Sequence, residues 1–179
     1  VGYGLHHALA EYRLPELGGG LWRQKVGGFA YGSGGTAEEA AEKALWEAAE
    51  RYSIHFHGDE ELCEAIYDPA RCLHPNELLQ FREEDYARGG AEMPERFRDG
   101  ERIAWMRASA MGEYPERLIP AALVLLDYSD EGQERWAVST SSGCAAGPTR
   151  EAAQEAAVRE LIERDAVALW WYRRARRPR

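Results

Sequence analysis

Gly34-Gly-Thr-Ala-Glu-Glu-Ala-Ala-Glu-Lys-Ala-Leu-Trp-Glu-Ala-Ala-Glu-Arg51 and Gly147-Pro-Thr-Arg-Glu-Ala-Ala-Gln-Glu-Ala-Ala-Val-Arg-Glu-Leu-Ile-Glu-Arg164 align without a gap when the chain is slid on itself by 113 places. Nine of the eighteen positions are identical, more than alanine and glutamate bias readily gives, so the two stretches read as copies of one supersecondary unit. In the first copy Thr36 has N-cap chemistry and Glu39 stands at capping-box spacing, while Ala40, Ala44, Leu45, Ala48 and Tyr52 form one apolar stripe. That pattern predicts a helix from Thr36 to about His55, and the second copy predicts another from Thr149 to about Arg174. Both copies end in the same signature, Glu-x-x-Glu-Arg: Glu47, Glu50, Arg51 and Glu160, Glu163, Arg164.

Before the first helix the chain is rich in glycine and reads as short extended pieces and loops. Between residues 58 and 100, Pro69, Pro75 and Pro94 interrupt every periodic stretch, which predicts a polar connection with short helices. Three strand candidates follow, Ile103 to Met111, Leu118 to Tyr128 and Arg135 to Thr140; the middle one is almost continuously apolar and is expected at the centre of a sheet. Ser141 to Gly147 is a loop of small residues leading into the second helix, an order suited to presenting backbone amides to an anion. The fold class expected is α/β, a mixed sheet packed by helices with an internal duplication of a loop-helix unit.

The formal net charge of −9 lacks the cationic field that nucleic-acid and membrane-surface binding need. The basic tail Arg173, Arg174, Arg176, Arg177, Arg179 reads as a solvated helix end. Cys63, Cys72 and Cys144 are an odd count with no CxxC pair, which indicates neither a disulfide framework nor a cysteine zinc site and suits a cytoplasmic location. No apolar run approaches the ~18 residues that span a bilayer.

Carboxylates spaced i and i+3 share one helical face and repel, so a cation is expected to offset each pair. Adjacent helical residues point about 100° apart, which places Arg51 and Arg164 off that face. If the two helices pack as pseudo-symmetric partners, four carboxylates converge, a set suited to Mg²⁺ bridging phosphate oxygens. The competing reading is an ordinary solvated glutamate face, weakened by the duplication. His55-x-His57 lacks a third metal ligand and reads as surface histidines near a helix end, and Cys144, with no local histidine as base, reads as a packing residue. The familiar phosphate-loop, dinucleotide and hydrolase signatures are absent.

Ser141-Ser-Gly-Cys through Glu163-Arg-Asp-Ala and the Trp170, Trp171, Tyr172 cluster, together with Glu47-Ala-Ala-Glu-Arg and Pro120-Ala-Ala-Leu-Val, resemble the YcaO family, in particular its azoline-forming peptide cyclodehydratases. The resemblance implies ATP and Mg²⁺ as cofactors, with Glu47, Glu50, Glu160 and Glu163 holding the metal, Arg164 supporting the site, and Ser33 and Ser142 at nucleotide-contacting positions. Ser33 stands where many relatives carry lysine, and Ser142 where they carry asparagine. It further implies activation of backbone amides in a ribosomally made precursor peptide, closing thiazoline or oxazoline rings from Cys, Ser or Thr as in bacteriocin maturation. Thioamide or amidine formation, or a non-catalytic scaffold, are the alternatives. The expected partners are that peptide and a leader-peptide-binding or ThiF-like protein or domain, with a homodimer left open. The 179 residues are expected to form one YcaO-type domain lacking its C-terminal portion, inactive alone.

Overall fold

Gly27 to Gly34 alternates exposed and buried positions, and this period places Ala30, Gly32 and Gly34 on a single covered face. The computed structural model describes residues 4–15, 27–90, 93–128 and 135–174. In it β1 (His6–Arg13) and β2 (Gly27–Gly34) form a two-stranded antiparallel sheet in which His6 faces Gly34 and Arg13 faces Gly27. Helix α1 (Ala37–Ser53) lies on that sheet and buries Ala40, Ala44 and Ala48. The contact is unusually close, because a methyl group built on Gly32 would lie 2.1 Å from the Ala40 carbonyl oxygen and 2.5 Å from the Ala44 nitrogen. Alanine faces glycine here so that helix backbone can rest almost directly on strand backbone.

The stripe expected on α1 is therefore narrower than its apolar letters suggest. Leu45 and Tyr52 are exposed, since each sits a step around the helix from the three alanines that touch the sheet. The helix starts as expected: the Thr36 hydroxyl accepts from the Glu39 amide at 3.1 Å, and the Glu39 carboxylate in turn accepts from the Gly35 amide at 2.8 Å. Helix α5 (Arg150–Arg173) opens in the same way, with Thr149 accepting from the Ala152 amide at 3.2 Å and nearly the same cap dihedrals, −138°/163° against −128°/163°. These elements belong to one compact unit, residues 1–54 with 141–179.

A second compact unit, residues 55–140, is built on a three-stranded antiparallel sheet, β3 (Cys63–Ile66), β4 (Arg102–Ala108) and β5 (Arg117–Pro120), in that spatial order. Trp105 on β4 is fully buried, donates its indole N–H to the Ala65 carbonyl at 3.0 Å, and belongs to a core with Cys72, Phe97, Ile103, Leu118, Ala122 and Trp136. The short helices α2 (Pro75–Leu79) and α3 (Glu83–Arg88) occupy the expected connecting region. Among the described residues, parallel pairing is confined to the isolated bridges His55 to Leu126 and Cys72 to Leu118.

Two strand expectations are corrected. The Leu118–Tyr128 strand stops at Pro120, which caps the one-turn helix α4 (Ala121–Val124), and β5 lies at a sheet edge with β4 in the centre. Ala121 and Ala122 are buried as a helical turn, which a short apolar run cannot distinguish from a strand. Arg135–Thr140 is a turn followed by irregular chain, its apolar signal being Trp136 filling the core. His55 is also not a surface residue: it is buried, with Nε2 3.4 Å from the Asp127 carboxylate. The glycines at 18–20 and the arginines at 176, 177 and 179 lie outside the described residues.

Candidate nucleotide and metal site

Each Glu-x-x-Glu-Arg signature folds back on itself. Glu and Arg four residues apart lie one turn apart on the same side of a helix. The Arg51 guanidinium accordingly donates to Glu47 Oε1 from Nε at 3.0 Å and from Nη2 at 2.9 Å. Arg164 Nε donates to Glu160 Oε1 at 2.5 Å. The arginines expected off the carboxylate face thus reach the first glutamate of their own signature.

The two helix segments meet electrostatically at Glu50. Its carboxyl is pushed up to about 7, first by burial, then by the neighbouring Glu47, with Glu160 of α5 adding to the rise and Arg51 and Arg164 opposing it. Cys144, half-buried in the loop before α5, has its thiol raised by burial, then by Glu50 and Glu160, with Arg51 acting against them. The loop therefore favours the neutral thiol, in keeping with the packing role expected for Cys144. Gly143 beside it has φ +81°, and its α-carbon faces the Leu161 side chain of α5.

Ser142, Glu160, Glu163 and Arg164 line one groove of about 590 Å³ that continues along α5 over Val167, Ala168, Trp171 and Tyr172. Of the residues expected at the site, Glu47, Glu50, Glu160 and Arg164 are brought within electrostatic reach of one another, and Ser142 and Glu163 join Glu160 and Arg164 in the groove. Ser33 lies at the end of β2, where its hydroxyl bonds His7 Nδ1 at 2.9 Å and its carbonyl accepts from Lys43 Nζ at 3.1 Å. The sequence reading named Arg51 and the aromatic cluster but gave neither a role at the site. The i to i+4 spacing of Glu47 and Arg51 was the available signal for the first.

Among the described residues no three His, Cys, Asp or Glu side chains are gathered closely enough to hold a metal by themselves, and His55-x-His57 forms no such cluster. Carboxylate oxygens are nevertheless donors that suit Mg²⁺, which keeps several waters and takes one or two carboxylates alongside substrate phosphates. A glutamate whose carboxyl is raised toward neutrality by burial and then by its acidic neighbours marks a place short of positive charge. The donor set therefore fits a magnesium ion that arrives with a nucleotide.

In the metal-free protein this crowding carries a pH signature. Because the folded-state pKa of Glu50 lies above the ordinary 4.5, the folded state holds an extra proton between about 4.5 and 7, so stability falls as pH rises through that window. Glu50→Gln is expected to remove this dependence and to be more stable than the unmutated protein by about 1 kcal/mol at pH 8, after allowance for solvent screening, with little gain at pH 4. Urea denaturation in EDTA at the two pH values checks it; equal midpoint shifts at both would contradict the charge crowding.

The last turns of α1 and the middle of α5 carry carboxylates and guanidiniums whose chemistry suits cations and phosphates. The family model described as YcaO cyclodehydratase, ATP- and Mg²⁺-binding, matches residues 31–179, and the chain belongs to that family. It is similar to a solved heterocyclase in complex with substrate and cofactor (34% identity, TM-score 0.76, covering 84% of this chain and 22% of that one). It is also similar to the heterocyclase TruD (35% identity, TM-score 0.58, 75% and 21%). A YcaO protein from Methanopyrus kandleri bound with AMPPCP and Mg²⁺ shares the fold at 18% identity, with TM-score 0.64 and coverage of 97% and 38%. The chain thus spans between about a fifth and two-fifths of the length of these solved relatives. No curated protein sequence matches it. Among the described residues no helix is long and apolar enough to cross a membrane.

Proposed function

We propose that this chain forms part of an ATP-dependent peptide cyclodehydratase that activates backbone amides of a precursor peptide and closes thiazoline or oxazoline rings from Cys, Ser or Thr. The observation that carries the reading is the meeting of the two signatures, in which the proton affinity of Glu50 responds to Glu160 and Arg164 across about 110 residues of sequence. The 34–35% identity to two solved heterocyclases supports the choice of reaction. ATP with Mg²⁺ supplies the phosphoryl group that turns an amide oxygen, once Cys, Ser or Thr has added to its carbonyl, into a leaving group. Glu47, Glu50, Glu160 and Glu163 offer the hard oxygen donors, and Arg164 faces the same groove to hold phosphate oxygens. Cys144, kept protonated by burial and then by Glu50 and Glu160, stays a poor nucleophile and does not compete with the peptide side chain. The peptide is presented by a leader-binding or ThiF-like partner, and the reaction takes place in the cytoplasm.

The test is calorimetric titration of ATP, with and without Mg²⁺, into the full-length protein and its Glu47→Ala and Glu163→Ala variants. Magnesium-dependent binding that weakens at least about tenfold in both variants is expected, in line with loss of a charged ligand. A non-catalytic scaffold is the second reading, favoured by the lack of any three-donor cluster among the described residues. It prevails if the unmutated protein takes up no Mg-ATP.

A further inference from the structure

We propose that Arg51 is a second phosphate-binding guanidinium of the site, the counterpart of Arg164, held on Glu47 while no nucleotide is bound. The proposal rests on the ATP reading above. Arg51 and Arg164 occupy equivalent positions of the repeat, each closing its signature and each bonded to the first glutamate of it. The Arg51 pair is the better anchored: two nitrogens converge on one Glu47 oxygen, and both side chains are only about a third exposed, 34% and 37%. Both Nε and Nη2 of Arg51 are committed to the same Glu47 oxygen, at 3.0 and 2.9 Å, so the guanidinium stands beside a proposed metal-ligand carboxylate.

Charge balance explains why a second guanidinium is needed. The carboxylates of the two signatures outnumber Arg164 and leave a net negative field that repels a polyphosphate until a metal ion arrives; Arg51 reduces it by one charge. The Glu47 pair keeps a cationic fork preorganised yet available, because a carboxylate drawn to a metal ion frees the guanidinium beside it for phosphate oxygens. A planar fork suits that exchange, since carboxylate and phosphate present similar acceptor geometry.

The experiment is titration of ATP, ADP and AMP at saturating Mg²⁺ into the full-length protein, unmutated and as Arg51→Ala and Arg51→Lys. Arg51→Ala is expected to weaken ATP by about 10- to 100-fold, as loss of a charge-assisted contact predicts, with a smaller loss for ADP and AMP within about twofold. Arg51→Lys keeps the i to i+4 partner and the charge, so it recovers part of the ATP affinity; if the alanine variant does not fold, a phosphate-graded loss in the lysine variant supports the proposal. ATP bound as tightly by the variants as by the unmutated protein overturns it and leaves the ATP reading standing. A loss equal for all three nucleotides also overturns it, as a structural effect. No Mg-ATP binding by the unmutated protein overturns both.

Discussion

Replacing Gly32 with alanine unfolds the unit that carries α1, or lowers its stability by about 3 kcal/mol or more, the upper end of what overpacking does. The added methyl would sit 2.1 Å from the Ala40 carbonyl oxygen and 2.5 Å from the Ala44 nitrogen, distances that no rotamer change relieves because both partners are helix backbone. Relief requires lifting α1 from β2, and that separates Ala40, Ala44 and Ala48 from the sheet they cover. By contrast, Gly35→Ala meets only the tip of the Glu39 carboxylate at 3.6 Å and is expected to cost well under 1 kcal/mol. Chemical denaturation of the two variants side by side checks the pair. Similar stabilities would mean that helix and hairpin are less tightly apposed than described.

Glu160→Ala is expected to remove Mg-dependent ATP binding by about 100-fold or more, the largest loss of any single carboxylate at the site. Glu160 enters most of the relations described there: it holds Arg164 at 2.5 Å, raises Glu50, raises Cys144 and lines the groove. Its loss removes a charge-assisted contact and a candidate oxygen donor together, which accounts for an effect of that size. The same variant has a second readout that needs no nucleotide. Without Glu160 the Cys144 thiol pKa falls toward its ordinary value, so alkylation of Cys144 at pH 7.5, followed by peptide mass spectrometry, is expected to run faster than in the unmutated protein. Unchanged alkylation would place Glu160 away from the Cys144 loop and sink the convergent site.

Helix α1 and its cap were legible because threonine, glutamate at capping spacing and a 3.6-residue period act locally, and α5 was legible as the second copy of the repeat opening on Thr149. The carboxylates proposed for the site were picked out for another reason: repetition lifts Glu-x-x-Glu-Arg above an ordinary charged face. The sequence reading named Arg51 in its signature but set it off the carboxylate face, because neighbours in sequence diverge on a helix, whereas a long side chain bends back one turn to reach Glu47. The bonds of Ser33 to His7 and of its carbonyl to Lys43 were not legible, since they join residues far apart in sequence or one end of a strand to a helix. The apolar run after Leu118 was unreadable in principle: a stretch covered on both faces carries no period, and Pro120 decided its helical turn.

The unit bearing the candidate site is discontinuous in sequence, made of residues 1–54 and 141–179 around a second unit that is continuous. Synthesis from the N-terminus therefore delivers the whole of the enclosed unit before α5 exists, and the pairing of Glu50 with Glu160 closes a loop of about 110 residues. Such a long-range contact forms late and slowly. On the ribosome the unit with the sheet core around Trp105 is made first, and the α1 carboxylates wait until α5 has been synthesised.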